Sequence, residues 1–592
     1  MKKYLLSILF AMFGIITYAQ NEPAITLTAK VEGKPLTLNF AVSEAGHKFK
    51  VDWGDGNLVE TEEIAVDDGW TTTTVTGIPL GEGKISVYGE KLVVLDCSYA
   101  ANDGTKLTAL DVTKATDLTK LTCNTHEITT LDVSKNVNLT ELVCSNNPIT
   151  SLDLSANTQL TSLDGTNMSL TEIDVTKNTA LKKLMLNDNQ IESIDLSANP
   201  ELNTLNINNN LLSEIDLSQN TALATVNIQS NKLSTLDLSM CDKLSVVFCN
   251  GNEITSLKVG SVKTRLNCSD NRLSLANLPL PGSKYFIYAP QKGMPVAQRI
   301  WPGETIDLSA QDNLTGLAAE AQKTTFVWKT GDTELQEGTD YTVENNVFTF
   351  LKAFDEPVYC EMATAAFPDF ADANIFKTEN VTVETEPELY LTLTTQVDGN
   401  ERNLTFASTT EANRIIVDWG DGKRVASEVI AMADEYGTTT TVTGTPAGEG
   451  HIKIYAREIS VFGCDSRVDG AQVTAINTSA ATDLRELNVY TNALKTLDLS
   501  QNANLEKLNC YNNSLEELDL TGNKKLTRLD AKDTPLAKID LSQNTELDYL
   551  SLNNCPIEAI DLSNNTKLSS LYLLNCKLAD IDLSKNTALT YV

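Results

Sequence analysis

The sequence predicts a mainly β protein in which two stacks of short parallel-stranded coils are each preceded by a small β-sandwich. A 21-residue pattern, L-x-x-L-x-[L/I/C]-x-x-N-x-[I/L]-x-x-[L/I]-D-[L/V]-S-x-N-x-x, recurs in two separate blocks. The hexapeptide VDWGDG begins at Val51 and again at Val417, and TTTTVTG follows each copy at Thr71 and Thr438. Short runs around these motifs alternate apolar and polar residues, as strands do. The chain therefore predicts a tandem duplication of β-domain plus coil stack, offset by about 366 residues.

The 21-residue pattern predicts one strand per coil. Its L-x-L segment is a short strand whose leucines point inward, and one coil cannot bury its apolar face alone, so neighbours must stack. A weaker unit with shortened spacing starts at Leu257. Elsewhere the hydrophobe-Asp pairs follow each other without insertion, at Leu110, Leu131, Leu152, Ile173, Ile194, Ile215 and Leu236, and at Leu497, Leu518, Ile539, Ile560 and Ile581.

An asparagine recurs at the bend after each predicted strand, where its amide can satisfy buried backbone groups. We call this row the outer ladder, and other residue types at its positions predict looser packing there. The other types are His126, Met168, Thr534, Cys555 and Cys576. The asparagines are Asn147, Asn189, Asn210, Asn231, Asn252, Asn271, Asn492 and Asn513.

The pattern in residues 107–275 and 484–592 resembles the leucine-rich repeats of bacterial secreted and surface proteins. It is most similar to the 21-residue, cysteine-bearing repeats of internalin-like proteins. That resemblance implies a non-enzymatic recognition protein, adhesin-like, which binds a protein ligand on the concave strand face of its repeats. The alternative is a glycan-binding surface protein of a secreted polysaccharide-related system.

We predict six segments. The W-G-D-G turns resemble those of PKD-type β-sandwich domains. Phe326-Val327-Trp328 and Val358-Tyr359-Cys360 resemble two strands of an immunoglobulin-like sandwich, with Trp328 buried. The earlier strand, Thr305 to Leu308, has no cysteine, so the intersheet disulfide of that family cannot form. The segments are a signal peptide (1–19), a PKD-like β-sandwich cap (20–95), the first repeat array (96–279), an Ig-like β-sandwich (280–386), a second PKD-like β-sandwich (387–463) and a second, apparently incomplete array (464–592).

The N-terminus predicts export. Lys2 and Lys3 precede an apolar run from Tyr4 to Ile16, and Thr17-Tyr18-Ala19 forms a small-residue cleavage site. We therefore expect a secreted or cell-surface protein with no transmembrane segment in the mature chain. Because the repeat count breaks off within a coil at Val592, we also expect either further repeats and a capping domain or an open edge that pairs with another chain.

Composition argues against several functions. The net charge of −33 disfavours nucleic acid and anionic membranes as partners. Three scattered histidines and the lack of a catalytic motif predict no enzyme activity, no cofactor and no metal site. Asp52 and Asp55 suit a hairpin turn, with a cation or sugar as the alternative. The row from Asp132 to Asp237 suits turn capping, with calcium as the alternative.

Most of the eleven cysteines are predicted to be packing residues with free thiols, because several take the inward strand position. Those residues are Cys123, Cys144, Cys249, Cys268 and Cys510. The alternative is a bridge between Cys123 and Cys144, one coil apart and about 4.8 Å by strand spacing.

The outward strand residues are the candidate ligand-binding groups. The second array carries tyrosines and arginines, which are enriched at recognition hot spots, whereas the first is mostly Asn, Thr and Ser. Tyr490 and Tyr511 lie one repeat apart, so we expect their rings to stack, either for binding or for stability alone. Lys507, Lys532 and Asp530 are also expected to face outward in the second array. The candidates are Tyr490, Tyr511, Tyr549, Tyr572, Arg485 and Arg528 in the second array, and Met185 and Phe248 in the first.

Overall fold

The computed structural model describes residues 22–69, 71–98, 104–280, 282–434, 437–464 and 472–591. The predicted signal peptide, residues 1–19, and Val592 lie outside this range. The described chain is mainly β, with single-turn 3-10 helices at Leu275–Asn277, Ser309–Gln311 and Asp372–Asn374. None of the described residues forms an α-helix.

Internal contacts divide the described chain into two compact units. The first unit contains the described residues within Met1–Pro295, Leu308–Trp328 and Tyr359–Glu379, and the second contains those within Val296–Asp307, Lys329–Val358 and Asn380–Val592. Each unit contains one repeat array and the β-domain that precedes it.

The first unit begins with two antiparallel layers of strands. Strands in the order β4-β3-β6-β1-β8 form one layer, and β5-β2-β7 form the start of the other. Phe40 and Phe49 meet edge to face, with ring centroids 5.3 Å apart, and Trp53 is buried with them. The strands are β1 (Ile25–Ala29), β2 (Leu36–Val42), β3 (Lys48–Asp52), β4 (Leu58–Glu63), β5 (Thr73–Gly77), β6 (Lys84–Tyr88), β7 (Leu92–Asp96) and β8 (Leu107–Asp111).

The first array is a stack of parallel strands one repeat apart. Leu121, Leu142, Leu163 and Leu184 pair in register along the sheet and are fully buried. β15 and β17 form a separate two-stranded sheet. The strands are β9 (Lys120–Thr122), β10 (Glu141–Val143), β11 (Ser162–Asp164), β12 (Lys183–Met185), β13 (Thr204–Asn206), β14 (Thr225–Asn227), β15 (Thr235–Leu238), β16 (Val246–Phe248), β17 (Ser256–Val259) and β18 (Arg265–Asn267).

The β-domain and the array share one sheet. β7 pairs in parallel with β9, matching Leu95 to Leu121, so the layer β5-β2-β7 continues directly into the array. The apolar face of the first coil is thereby covered, as a solenoid end requires. The sheet crosses the predicted domain limit at residue 95 without interruption, because the last strand of the β-domain is also the first strand of the stack.

Two ladders of asparagine hold successive coils together. In the predicted outer ladder, Asn147 accepts from the Ile128 amide and donates to the carbonyls of Cys123 and Cys144. His126 imitates this one coil earlier, bonding the Leu107 amide at 3.2 Å and the Cys97 carbonyl at 2.5 Å. A second row, the inner ladder, uses the asparagine of the S-x-N motif: Asn136, Asn157, Asn178, Asn199 and Asn220 in the first array, and Asn502, Asn523, Asn544, Asn565 and Asn586 in the second.

The segment between the arrays contains short sheets. Trp328 on β22 and Cys360 on the neighbouring β26 are buried, and a strand does form at Thr305–Asp307. Because these sheets are divided between the two units, an independent Ig-like domain over 280–386 stays a prediction. The strands are β19 (Tyr285–Ile287), β20 (Arg299–Ile300), β21 (Thr305–Asp307), β22 (Thr324–Thr330), β23 (Thr333–Glu334), β24 (Tyr341–Glu344), β25 (Val347–Phe350), β26 (Val358–Thr364), β27 (Phe376–Lys377) and β28 (Thr382–Val383).

The second unit repeats the topology of the first. One sheet has the order β32-β31-β34-β29-β36, and the other runs β33-β30-β35-β37-β38-β39-β40-β41 from the β-domain into the array. The strands are β29 (Leu389–Thr395), β30 (Arg402–Ser408), β31 (Ile416–Asp418), β32 (Arg424–Ala426), β33 (Thr440–Gly444), β34 (His451–Tyr455), β35 (Ile459–Gly463), β36 (Val473–Asn477), β37 (Glu486–Asn488), β38 (Lys507–Asn509), β39 (Arg528–Asp530), β40 (Tyr549–Ser551) and β41 (Ser570–Tyr572).

Candidate recognition surface

The strand face of the second array carries a row of ring and cation contacts. The rings of Tyr490 and Tyr511 lie 4.7 Å apart and 5° from parallel, which confirms the predicted stack. The Lys532 ammonium sits 4.4 Å from the centre of the Tyr511 ring. Both contacts arise because Tyr490, Tyr511 and Lys532 are spaced one repeat apart, and each lies two residues beyond the end of its strand, so they occupy matching places on adjacent coils.

The same face continues over the next coils. The Arg528 guanidinium lies 3.6 Å from the centre of the Tyr549 ring, and the rings of Tyr549 and Tyr572 are 5.4 Å apart. Tyr572 is 37% exposed. We define the aromatic row as Tyr490, Tyr511, Lys532, Arg528, Tyr549 and Tyr572. It offers large, preorganised side chains that are paired with one another and still reach solvent.

Ion pairs flank the aromatic row. Lys507 lies 3.2 Å from Glu486, and Arg485 lies 3.9 Å from Glu506 at the edge of the face. Asp530, expected to face outward, is 5% exposed, and Lys532 pairs with it at 3.3 Å. The sequence pattern placed Asp530 on the correct side of the strand but did not show that Lys532 covers it.

Amide side chains on the strand face of the first array donate hydrogen bonds to one another. Asn206 donates to the Asn187 side chain at 3.1 Å, and Asn227 donates to Asn208 at 3.2 Å. Thr166 donates to Asn187 from the other side. Met185 is half-buried at the same strand position as Asn206. These amides bond to each other along the stack, so the face has less to offer a partner than the aromatic row.

Sequence reasoning missed the end of the first array. Arg265 lies 5.8 Å from the Phe248 ring and 5.6 Å from the ring of Tyr285, which is 49% exposed. Ile287 is exposed on the same strand as Tyr285. The spacing there drops from 21 residues to 19 and then 20, as the pairing of Val247, Leu266 and Phe286 shows. The three consecutive apolar residues Tyr285-Phe286-Ile287 were the sequence signal for a strand at this place. Counting strand positions at a fixed interval of 21 residues missed it.

All eleven cysteines are free thiols, and all but Cys576 are buried. Desolvation by burial raises the pKa of the Cys123 and Cys144 thiols well above their usual value, and that of Cys249 to about 12. A thiol with such a raised pKa is a weak nucleophile at neutral pH. The cysteines of the arrays therefore belong to the packing of the coils, as predicted, whereas Cys360 is buried in the segment between the arrays.

The carboxylate row caps turns. Asp153 accepts the Ser155 amide at 2.9 Å, and Asp195 accepts that of Ser197 at 2.9 Å. Hydrogen bonds from the side chain and backbone of the residue two positions on lower the pKa of both carboxyls. The same bond recurs along both arrays, at Asp132, Asp174, Asp216, Asp237, Asp498, Asp519, Asp540, Asp561 and Asp582. The turn-capping interpretation is confirmed.

The W-G-D-G motif is also a capped turn. Asp52 accepts the amides of Gly54 and Gly56 at 2.9 and 3.0 Å, and Asp418 makes the same pair in the second copy. Trp53 packs on Gly77 so closely that a Cβ atom there would overlap its ring. The motif thus closes the hairpin and seats a core tryptophan.

The described residues contain neither a helix that could span a membrane nor a cluster of side chains that could hold a metal ion. Within those residues, no helix has the length and apolar character to cross a membrane. The same part of the chain contains no group of three or more His, Cys, Asp or Glu side chains arranged to hold a metal ion.

Solved structures similar to this chain are leucine-rich repeat proteins. The functional domain of InlJ from Listeria monocytogenes, which includes a cysteine ladder, shares 23% identity, with a TM-score of 0.27 over 81% of this chain and 68% of that one. A leucine-rich repeat protein of Leptospira interrogans shares 15% identity over 81% and 85%, with a TM-score of 0.27. An internalin of Listeria monocytogenes shares 15% identity over 82% and 89%, with a TM-score of 0.24.

At TM-scores this low, the fold assignment rests on the 21-residue strand register itself and not on these likenesses. No family model matches the chain, and no curated protein matches it.

Proposed function

We propose that this chain is a non-enzymatic extracellular recognition protein whose aromatic row binds a protein ligand. The observation that carries the proposal is the contrast between the two strand faces. The first array bonds its amides to one another, as Asn206 does to Asn187, whereas the second presents tyrosines and cations in contact, as Arg528 does with Tyr549. Tyrosine and arginine are the residue types that contribute most to protein interfaces.

The physical state of the row favours binding. Tyr511 is held between Tyr490 and Lys532, so little side-chain entropy remains to be lost when a partner covers it. Each cation already has a partner within the protein: Arg528 contacts the Tyr549 ring, Lys532 pairs with Asp530, and Lys507 pairs with Glu486. A ligand that excludes water from these cations therefore leaves none of them unpaired. A solenoid sheet presents such a row on a rigid, extended surface. Export by the N-terminal segment would place that surface outside the cell.

The test uses the mature chain, from Gln20, and an array of extracellular protein domains as probes. For any domain that binds, the Tyr511→Ala/Tyr549→Ala variant should lose roughly 1 kcal/mol or more of binding free energy per site, a loss that only a minority of interface residues show on truncation. The matched control is Lys183→Ala/Met185→Ala, which truncates two residues of one strand on the face of the first array. Undiminished affinity in the folded tyrosine variant, or an equal loss in the control, would refute the proposal.

A further inference from the structure

The second unit contains a groove at the point where its β-domain joins its array. We call it the junction groove and define it by Asn403, Thr405, Thr441, Gly463, Asn488 and Tyr490. It encloses about 660 Å³, within the range of roughly 300–1,000 Å³ that is usual for small-ligand sites. Its floor is the continuous sheet β33-β30-β35-β37-β38.

The duplication supplies an internal reference for this groove. Strand pairing in the second unit aligns Thr441, Thr405 and Gly463 across one row of the sheet, followed by Asn488 and Asn509. The same row of the first unit reads Thr74, Asn39, Asp96, Thr122 and Val143. The backbone register is therefore shared, and the difference between the two places lies in side chains alone.

In the first unit the side chains of this row fill the space above the strands and form hydrogen bonds with one another. Asn39 donates to the Asp96 carboxylate at 3.4 Å and accepts from the Thr74 hydroxyl at 2.8 Å. Asp96 also accepts the Ser98 amide at 2.9 Å. Asp96 and Asn39 thus occupy, with their own side chains, the space above the strands.

In the second unit the central carboxylate is absent because position 463 is glycine. The hydroxyl of Thr405 lies over Gly463, where a Cβ atom would overlap it. The exposed hydroxyls of Thr439 and Thr441 stand beside it on the neighbouring strand segment. Where the first unit has Asp96 and Asn39, the second unit has Gly463 and Thr405. The closed polar cluster of the first unit is therefore replaced in the second by an open floor of hydroxyl groups.

The wall of the groove is aromatic and fixed. Tyr490 lines it and is stacked on Tyr511, whereas the first unit has Asn124 at the matching place. Asn488 donates to Glu486 at 2.9 Å, and Glu486 is paired with Lys507. The groove therefore combines one aromatic ring with several hydroxyl and amide groups, and its single carboxylate already has a cationic partner.

We propose that the junction groove binds a neutral saccharide. A sugar ring presents apolar C–H groups that pack on an aromatic wall and hydroxyls that exchange hydrogen bonds with amides and hydroxyls. Glu486 and the chain's net charge of −33 disfavour anionic sugars. This site goes beyond the protein ligand proposed for the aromatic row, and it shares only Tyr490 with that row.

The test uses the mature chain and a panel of neutral hexose oligosaccharides, each presented free in solution and coupled to a carrier protein. Binding of both forms assigns the site to the saccharide itself, whereas binding of the carrier alone would overturn the proposal. For a positive oligosaccharide, Thr405→Asn/Gly463→Asp restores the residues of the first unit and should lower affinity about tenfold or more, since it fills the floor of the groove and removes the Thr405 hydroxyl as a hydrogen-bonding group.

A second variant tests the groove without a substitution at Gly463, which could by itself impair folding. Tyr490→Asn, again the residue of the first unit, should reduce saccharide affinity with an unchanged thermal midpoint. Tyr549→Ala lies outside the groove and should retain saccharide binding, while the proposed function predicts that it weakens the protein ligand. Unchanged oligosaccharide affinity in both groove variants, or no binding across the panel, would refute the groove proposal without touching the aromatic row.

Discussion

The side-chain amide of Asn178 donates to the carbonyl oxygen of Asn157 at 2.9 Å, exactly one coil away in sequence. It also donates to the Leu154 carbonyl at 3.0 Å, and the side chain is fully buried. Asn199 and Asn220 repeat both bonds. Each of these three coils is thus tied to its predecessor by two hydrogen bonds from one buried side chain.

Replacing Asn178 by alanine should destabilise the first array. Two buried carbonyls would lose their donor, and a buried group left unpaired costs about 1–3 kcal/mol. We expect a loss of roughly 2–3 kcal/mol in unfolding free energy, measured by urea denaturation. Gln159→Ala removes an exposed side chain of the same array and serves as the control. Equal stability of the two variants would show that the inner ladder contributes little.

The chain contains its own variant of the inner ladder. Cys241 takes the asparagine position one coil after Asn220, and its thiol lies 3.8 and 3.7 Å from the carbonyls of Leu217 and Asn220. An amide is a stronger donor than a thiol. Cys241→Asn should therefore raise the thermal midpoint, and a lower midpoint would indicate that the site is too small for the amide.

The cysteines should be unreactive in the folded protein and free in the unfolded one. Burial raises the pKa of Cys249 to about 12 and that of Cys123 well above its usual value, so few thiolates form near neutral pH. Thiol titration in denaturant without reductant should count all eleven. A count that rises on adding reductant would mean that disulfides had formed between coils.

Acid should unfold the arrays through the turn-capping aspartates. Hydrogen bonds from Ser239 and the nearby Lys258 lower the pKa of Asp237 from 3.8 to about 2, and Ser155 lowers that of Asp153. A carboxyl whose pKa is lower in the folded state stabilises the fold above its unfolded pKa and loses that contribution as pH falls through the folded value.

We therefore expect unfolding free energy to decline between the unfolded pKa of 3.8 and a pH of about 2. Urea midpoints across that window measure the decline. Asp237→Asn should flatten it slightly relative to the parent protein, whereas Glu32→Gln, at an exposed position away from the array turns, should leave its slope unchanged. A decline that begins well above 3.8 would point to other groups.

The tryptophan of each W-G-D-G turn requires a glycine opposite it. A Cβ atom at Gly444 would overlap the Trp419 ring, and Gly77 stands in the same relation to Trp53. Gly444→Ala should therefore destabilise the second unit by about 1–3 kcal/mol, the usual effect of overpacking. Gly260→Ala is the matched control, because nothing lies within 4 Å of its Cβ position. Calorimetry of both variants checks the difference.

The 21-residue periodicity predicted the coils because each coil is determined by contacts between residues that are close in the sequence. The spacing of Leu184 and Leu205 alone sets their register, and the Tyr490–Tyr511 stack follows from that register. The end of the first array was not predictable by the same count. Tyr285 joins the face through a shortened spacing, and Asp530 is covered by a lysine that the pattern treats as an independent position.

The sequence by itself determined the solenoid, the inward thiols and the capped turns, because all of these depend on neighbours within one or two repeats, and it showed the duplication directly through the repeated VDWGDG and TTTTVTG motifs. Only the tertiary structure decided that the β-domain and the array share one sheet, and that Thr405, Gly463 and Asn488 meet along one row of it. These residues belong to segments with different periods. Strand pairing between such segments depends on backbone hydrogen bonds, which every residue type except proline can donate, so no residue pattern records it.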